Sequence, residues 1–397
     1  MRKTVFVTGA TGFVGGRLAE RLTEAGARVR CLARPTSNRR RLAALGVEFV
    51  DGDLADRAAL RRGVEGADVV FHLAGLTRET RRGDFDAVNR IGSRNVAEVC
   101  AEVGRSNGGG GRLGAPTLVL VSSLAGAGPA PKREKTKKVV DSGSEDSVGW
   151  GDSVDVVDSV GWGDFADFDG RRLKRETDVP NPISPYGRSK LAGEREVLRF
   201  ADATPTTIVR PPYVFGAGDV LSAPLYKMAK ERGVFLVPGY LDRFYSFVDV
   251  DDLATLLIAA AERGERAAPS SLDPIPTAEN GGASARCSGR GVYFATSARP
   301  IRFSRFGAAL GDAFGRKPKT IKIPPLGVLG TGAYGEIVKV LAKKTPPFDW
   351  NKAVEALRGP WICSGEKAAR DLGVRLETPL TEQFAAAVDW YRREGWV

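Results

Sequence analysis

Val5-Phe6-Val7-Thr8-Gly9-Ala10-Thr11-Gly12-Phe13-Val14-Gly15 sets an apolar run directly before three glycines, each three residues from the next. A buried strand, a tight turn and the opening of a helix satisfy that order of residue types. Each glycine answers a separate demand. The turn needs a residue without Cβ strain, the backbone must approach a pyrophosphate closely, and the helix start must offer free N–H groups to the anion. Gly9, Thr11, Gly12, Phe13, Val14 and Gly15 are therefore candidate contacts to a dinucleotide.

Further strand-like runs follow at 29–33, 47–50, 69–74, 117–122 and 207–210, with helical patterns between them, as at 15–25 and 85–103. Alternation of this kind predicts right-handed βαβ units, hence an α/β fold with a doubly wound parallel sheet covered by helices on both faces. Residues 1–210 form the expected dinucleotide-binding domain. Residues 211–397 are less regular and read mainly as a smaller C-terminal substrate-binding lobe, closing on a helix at 381–393 where Phe384, Val388 and Tyr391 recur at helical spacing.

Three stretches interrupt the alternation. A glycine-rich loop holds 108–111. Residues 130–176 read as an insertion: 132–138 carries five Lys or Arg in seven residues, and 141–169 carries nine Asp or Glu with no Lys or Arg. Inside it, Asp146-Ser147-Val148-Gly149-Trp150-Gly151-Asp152 repeats unchanged from Asp158 to Asp164. A mobile surface segment is the expected state, with a lid over the site as the alternative. Residues 265–291, rich in Ala, Ser, Gly and Pro, read as a second, plain loop insertion.

The second strand runs into Arg34, where an acidic residue would bind the ribose hydroxyl of NAD. Arginine instead matches a 2′-phosphate by charge and by its fork of donors, and Arg39, Arg40 and Arg41 follow. NADP(H) is thus preferred over NAD(H). After the third strand, Asp53 can accept from an adenine amino group and Leu54 can pack on the ring; capping of the loop is the plainer reading.

Tyr186 and Lys190 supply the chemistry. A free tyrosine has a pKa near 10 and is no base at neutral pH. If Tyr186 opens a helix, Lys190 lies one turn on along the same face. An ammonium about 4 Å away favours phenolate by roughly 4 kcal/mol at an effective dielectric of about 20. Ser122 and Ser123 end a strand at the carboxyl edge of the expected sheet, where a hydroxyl can orient a reacting oxygen.

Composition removes other classes. The chain has 397 residues, 42% of them apolar, and no apolar run long enough to span a bilayer. Its four cysteines are scattered, which fits neither a zinc site nor a disulfide framework but a reducing compartment, and the first strand begins at residue 3, so a cytoplasmic protein without a leader is expected. A single histidine, His72, rules out a multi-histidine metal site, so no metal is expected; His72 reads as a packed strand-end residue. The net charge of +11 is spread along the chain without an aromatic-basic motif, so neither nucleic acid nor membrane is an expected partner.

These motifs together resemble the extended short-chain dehydrogenase/reductases of the NAD(P)-dependent epimerase/dehydratase superfamily. The likeness rests on Thr8–Gly15, Asp51-Gly52-Asp53-Leu54, Phe71-His72-Leu73-Ala74, Asn89 with Gly92 and Asn95, Val121-Ser122-Ser123, Tyr186 to Lys190 with Glu194, Arg210 to Gly216, and Phe247 to Asp252. It implies a Rossmann-type fold and a catalytic set of Ser123, Tyr186 and Lys190. Ser123 is preferred to Ser122 by counting back from Gly128, although Ala127 stands where the family often has tyrosine. The resemblance also implies that Leu73, Ala74, Gly75 and Asn89 lie beside the cofactor, that Pro211 and Val214 lie beside the nicotinamide, and that the chain forms a homodimer through the regions 89–103 and 186–201.

Arg34-Pro35-Thr36-Ser37, Gly46-Val47-Glu48 and the Trp361 to Tyr391 segment are most similar to the dihydroflavonol-reductase-like and 3β-hydroxysteroid-dehydrogenase-like branch. Leu124-Ala125 replaces the Asp-Glu pair of the sugar dehydratases, so elimination of water lacks its proton carriers. Interconversion of a secondary alcohol and a ketone is the first expectation. A nucleotide-sugar epimerase, with Arg243 near the place of a diphosphate-binding cation, is the second, and a cofactor-sensing binding protein is the non-enzymatic third.

Overall fold

The computed structural model describes residues 3–79, 81, 83–107, 114–132, 171–275, 286–297, 299–342, 346 and 348–396. The charge blocks and the duplicated Trp-containing segment, and with them the mobile-segment and lid readings, lie outside the described residues, as does the glycine run at 108–111.

Seven strands form one parallel sheet: β1 (Thr4–Thr8), β2 (Arg28–Ala33), β3 (Glu48–Asp51), β4 (Val69–His72), β5 (Thr117–Val121), β6 (Thr206–Arg210) and, after four shorter strands, β11 (Val292–Phe294). Their spatial order is β11-β6-β5-β4-β1-β2-β3. The order reverses between β1 and β4, and such a switch point leaves a crevice at the strands' carboxyl ends. The shorter strands β7 (Tyr213–Phe215), β8 (Val234–Pro238), β9 (Phe244–Tyr245) and β10 (Phe247–Asp249), with β12 (Ile301–Arg302) and β13 (Lys319–Ile323), pair as β10–β7, β12–β9 and β13–β8.

Alternation within each strand explains the layers. Val5 and Val7 of β1 point into one apolar layer, and Phe6 into the other. The first layer is covered by α1 (Phe13–Glu24) and by two helices of the later chain. The second is covered by α3 (Arg57–Val64), which follows the short α2 (Arg40–Ala43), by α4 (Gly92–Ser106) and by α6 (Pro185–Leu198), which follows the short α5 (Leu124–Ala127). Each fully buried Leu or Val on these helices contributes about 1.5–3 kcal/mol.

The boundary expected at residue 210 separates the chain in sequence more than in space. After α7 (Ala223–Lys227), helix α8 (Val250–Arg263) packs Leu253, Leu256 and Leu257 onto the first apolar layer, and β11 extends the sheet beside β6. The later chain adds α9 (Phe303–Ala313), α10 (Pro325–Ala342), α11 (Trp350–Arg358), α12 (Glu366–Leu372) and α13 (Leu380–Arg393). Helix α12 joins the first layer through Ala368 and Leu372. The remaining lobe has its own core of Phe215, Tyr226, Phe235, Phe247, Phe306, Phe384 and Tyr391. The expected loop at 265–291 contains no regular element among its described residues, yet Ala267, Leu272 and Cys287 are buried.

Candidate active site

The glycine turn is built as tightly as its composition demands. Gly9 has φ +78°, and a methyl group there would lie 2.6 Å from the Ala74 amide nitrogen. A methyl on Gly15 would lie 2.2 Å from the Gly9 carbonyl oxygen. The turn therefore fits only glycine at both positions and presses against the end of β4. Gly12 precedes α1 with no side-chain cap, so the first helical N–H groups keep their donor capacity for an anion. Thr11 is exposed, Phe13 is half-buried beside Gly218, and Val14 packs on the first apolar layer. This donor set, against a surface that a single Cβ would fill, fits a dinucleotide pyrophosphate.

The arginines after β2 divide into two kinds. Arg39 folds back onto Asp51, onto the Ala33 and Arg34 carbonyls and over the Phe49 ring, while Arg41 pairs with Glu20. Arg34 is exposed, and among the described residues its guanidinium has no protein partner. Asp53 uses Oδ1 to accept from the Ala55 and Asp56 amides at 2.8 and 3.2 Å, the capping role. Leu54 is buried against Gly92, whose missing Cβ leaves it room.

Asn89 lies in a wide helical turn, Asp86–Ile91, that leads into α4. Its side chain is spent on the protein: Oδ1 accepts from the Leu76 amide at 2.8 Å, while Nδ2 donates to the Leu76 carbonyl at 2.9 Å and to Ser189 at 2.8 Å. Asn89 thus ties the loop after Leu73, Ala74 and Gly75 to α6. His72 bridges Thr8 and Ser93 at 2.7 and 3.0 Å. Burial pulls its pKa down to about 3, so it is neutral and structural.

Helix α6 begins where its sequence says it should. Ser184 caps it by accepting from the Gly187 amide at 3.0 Å, and Pro185 fills the first turn, where no N–H is needed. Tyr186 and Lys190 follow on one face. Ser123 ends the strand side of the site and caps α5, accepting from the Ala125 amide at 3.1 Å. Its hydroxyl also lies close enough to Tyr186 to pull the phenol's pKa down. Ser122 is buried with an unpartnered hydroxyl, so Ser123, of the two, meets the phenol. Pro211 lies alongside, its carbonyl accepting from the Leu124 amide at 2.8 Å, and Val214 sits on β7 packed against the first layer.

The electrostatics differ from expectation. Lys190 does not depress the tyrosine pKa. Its Nζ donates to the Val121 carbonyl at 2.9 Å and lies 3.6 Å from where a Cβ on Gly75 would sit. Burial lowers its own pKa to about 8, against the carboxylate of Glu194, which raises it. Tyr186 is raised above its ordinary value, because burial of the phenol outweighs the pull of a cation and of the Ser123 hydroxyl. That cation is Lys352, a residue the sequence did not single out. Its Nζ stands 5.1 Å from the centre of the Tyr186 ring and 2.9 Å from Glu355. Glu355 in turn accepts from Ser184, so α11 clamps the start of α6.

A glycine turn at the switch point of a parallel sheet, facing a Ser–Tyr pair and a buried lysine, defines a Rossmann-type nucleotide-binding α/β protein with an oxidoreductase-like site. The comparisons narrow this class. The model of the NAD dependent epimerase/dehydratase family matches residues 5–144 and 162–271, and the chain belongs to that family of NAD(P)-dependent enzymes. It is 28% identical over 396 residues to the ceramide reductase of Caulobacter vibrioides (strain NA1000 / CB15N), covering 100% of this chain and 96% of that protein. It is 25% identical over 358 residues to the 3beta-hydroxysteroid-dehydrogenase/decarboxylase isoform 1 of Arabidopsis thaliana, covering 86% and 66%. Its fold matches MoeE5, solved in complex with UDP-glucuronic acid and NAD, with TM-score 0.61 at 21% identity, covering 98% and 99%.

Proposed function

We propose that the chain is an NADP(H)-preferring oxidoreductase that interconverts a secondary alcohol and a ketone on a bulky, largely apolar substrate. The observation that carries this reading is the pair of hydroxyls, Ser123 against Tyr186, at the end of β5 with Lys190 one turn along α6. The nicotinamide, when bound, supplies hydride to the carbonyl carbon or accepts it from the alcohol. Tyr186 donates its phenolic proton to the carbonyl oxygen, and Ser123 holds that oxygen in line. Lys190 brings a cation to the same edge, held at the Val121 carbonyl beside Gly75, where the cofactor would lie. A phenol whose pKa is raised keeps its proton at neutral pH, the form that reduction requires.

Arg34, with no protein partner among the described residues, supports NADP(H) over NAD(H). The ceramide and 3β-hydroxysteroid relatives, matched along most of this chain, support the apolar substrate class. The epimerase reading is weaker, because Arg243, its candidate diphosphate cation, donates to the Gly359 carbonyl at 2.9 Å and is half-buried in that role. A cofactor-sensing protein would have no use for the Ser–Tyr–Lys set. Transfer of label from 4-deuterated NADPH to a panel of hydrophobic ketones tests the reading. Tyr186→Phe is expected to lower kcat/KM by about 10²–10⁴ with cofactor affinity unchanged. A variant that keeps most of its rate removes the assignment.

A further inference from the structure

The roof over Tyr186 is the hairpin of α10 and α11. Its inner side is close-packed: a methyl on Gly332 would meet Ala353 Cβ at 2.7 Å, and one on Gly335 would meet the Phe348 carbonyl oxygen at 2.2 Å. Its outer side is apolar. Leu326, Tyr334, Ile337 and Leu341 are 83%, 69%, 54% and 78% exposed and fall along one stripe of α10. A surface helix normally turns that stripe to its core. Here the one charged pair of the helix, Glu336 with Lys339 at 3.7 Å, lies off the stripe.

Neighbouring elements continue the surface. The Gly239 amide donates to the Ile323 carbonyl at 2.8 Å, which brings Tyr240 and Leu241, 67% and 59% exposed, beside the start of α10. The approach to the helix is basic. Arg316, Lys317, Lys319 and Lys322 are all exposed, and among the described residues Lys317, Lys319 and Lys322 form no ion pair. Arg316 in turn donates to the Lys230 carbonyl at 2.6 Å, adding the exposed Lys230 to the same rim.

We propose that the outer face of α10, with Tyr240, Leu241 and the cationic rim of β13, docks on an anionic phospholipid surface. An exposed apolar stripe flanked by cations suits a helix lying in the headgroup plane. No helix among the described residues is long and apolar enough to cross a membrane, so the contact is interfacial. A protein partner would have to offer both an apolar groove and an acidic rim, whereas an anionic bilayer has both by composition. The docking stands on exposure and charge alone. Its use does rest on the proposed reaction: the inner side of the same hairpin carries Lys352 above Tyr186, so docking would bring an apolar ketone to the site from the lipid phase.

The test is co-sedimentation of the full chain with phosphatidylcholine vesicles, with or without phosphatidylglycerol. The chain is expected to pellet with the anionic vesicles and to be released by salt. Leu326→Glu with Leu341→Glu, and separately Lys319→Glu with Lys322→Glu, should each lower vesicle affinity at least about tenfold. Turnover of a water-soluble ketone should stay at the wild-type rate in both. Absence of binding to anionic vesicles, or equal binding by the leucine variant, overturns the proposal. So does a leucine variant that dissociates a dimer while the wild type ignores vesicles, because the face would then be a self-association surface. Vesicle binding without ketone turnover would instead strike the reductase reading and leave the docking intact.

Discussion

Tyr186 lies between two parts of the molecule that hold their polar residues differently. On the sheet side, the polar groups that set the geometry are buried and held by fixed partners: Asn89 makes three hydrogen bonds, His72 bridges two hydroxyls, and Arg210 pairs with Glu194, both side chains fully buried. On the hairpin side, Lys352 and Glu355 meet the tyrosine from a helix whose lysine is 35% exposed. The first arrangement makes geometry a matter of stability. The second leaves charge adjustable at little structural cost. Substitutions on the sheet side should therefore unfold the protein, and substitutions on the hairpin side should retune it.

The largest effect expected is from Glu194→Gln. Arg210 donates to Glu194 through Nε and Nη2 at 2.9 and 2.6 Å, and its Nη1 has no hydrogen-bond partner. Removing the carboxylate charge leaves the buried guanidinium facing a neutral amide, a loss of about 3–5 kcal/mol. Urea unfolding at neutral pH measures it. Glu194 also raises the Lys190 pKa, so the variant should drop that pKa below its present value of about 8. A loss under about 1 kcal/mol would mean that the sheet side is not held by its buried pairs.

The same division governs what the sequence could reveal. Gly9 to Gly15, the strand runs and the placing of Tyr186 and Lys190 on one helix face were legible because each depends on local backbone chemistry: a positive φ, a capped helix start, an i, i+4 face. β11 was not, since Val292-Tyr293-Phe294 is three residues long, too short to show a period. Lys352 was hidden for another reason. With Glu355 it reads as an ordinary surface pair three residues apart, and only the packing of Gly332 and Gly335 against α11 turns it toward the site. The tyrosine pKa was misjudged in direction because a Coulomb estimate between two side chains omits the burial of the phenol.

Lys352→Met probes the hairpin side. The stability cost should stay under about 1 kcal/mol, since the pair with Glu355 is partly exposed. The pH dependence should move. Lys352 lowers the Tyr186 pKa, so its removal raises it further. Reduction requires the protonated phenol and fades as pH rises through that pKa; its alkaline limb should shift upward. Oxidation requires phenolate, so its rate at neutral pH should fall. Lys352→Arg should restore both profiles. Unfolding as severe as that of Glu194→Gln, or profiles that do not move, would erase the contrast between the two sides.

Arg34→Ala is expected to give the smallest structural effect and isolates the cofactor. Arg34 is exposed beyond the end of β2, whereas Arg39 and Arg41 are engaged by Asp51 and Glu20. Truncation therefore removes no intramolecular bond, and the unfolding midpoint should not change. A 2′-phosphate loses the unengaged fork of donors at the end of β2, and NADP(H) affinity should fall about tenfold or more while NAD(H) affinity is unaffected. Titration of both cofactors by protein fluorescence gives the ratio directly. Equal losses for the two would place Arg34 on the shared pyrophosphate or ribose. No loss for either would take the NADP(H) preference away from Arg34 and leave the exposed Arg40 as its candidate, because Arg39 and Arg41 already belong to the protein's own ion pairs.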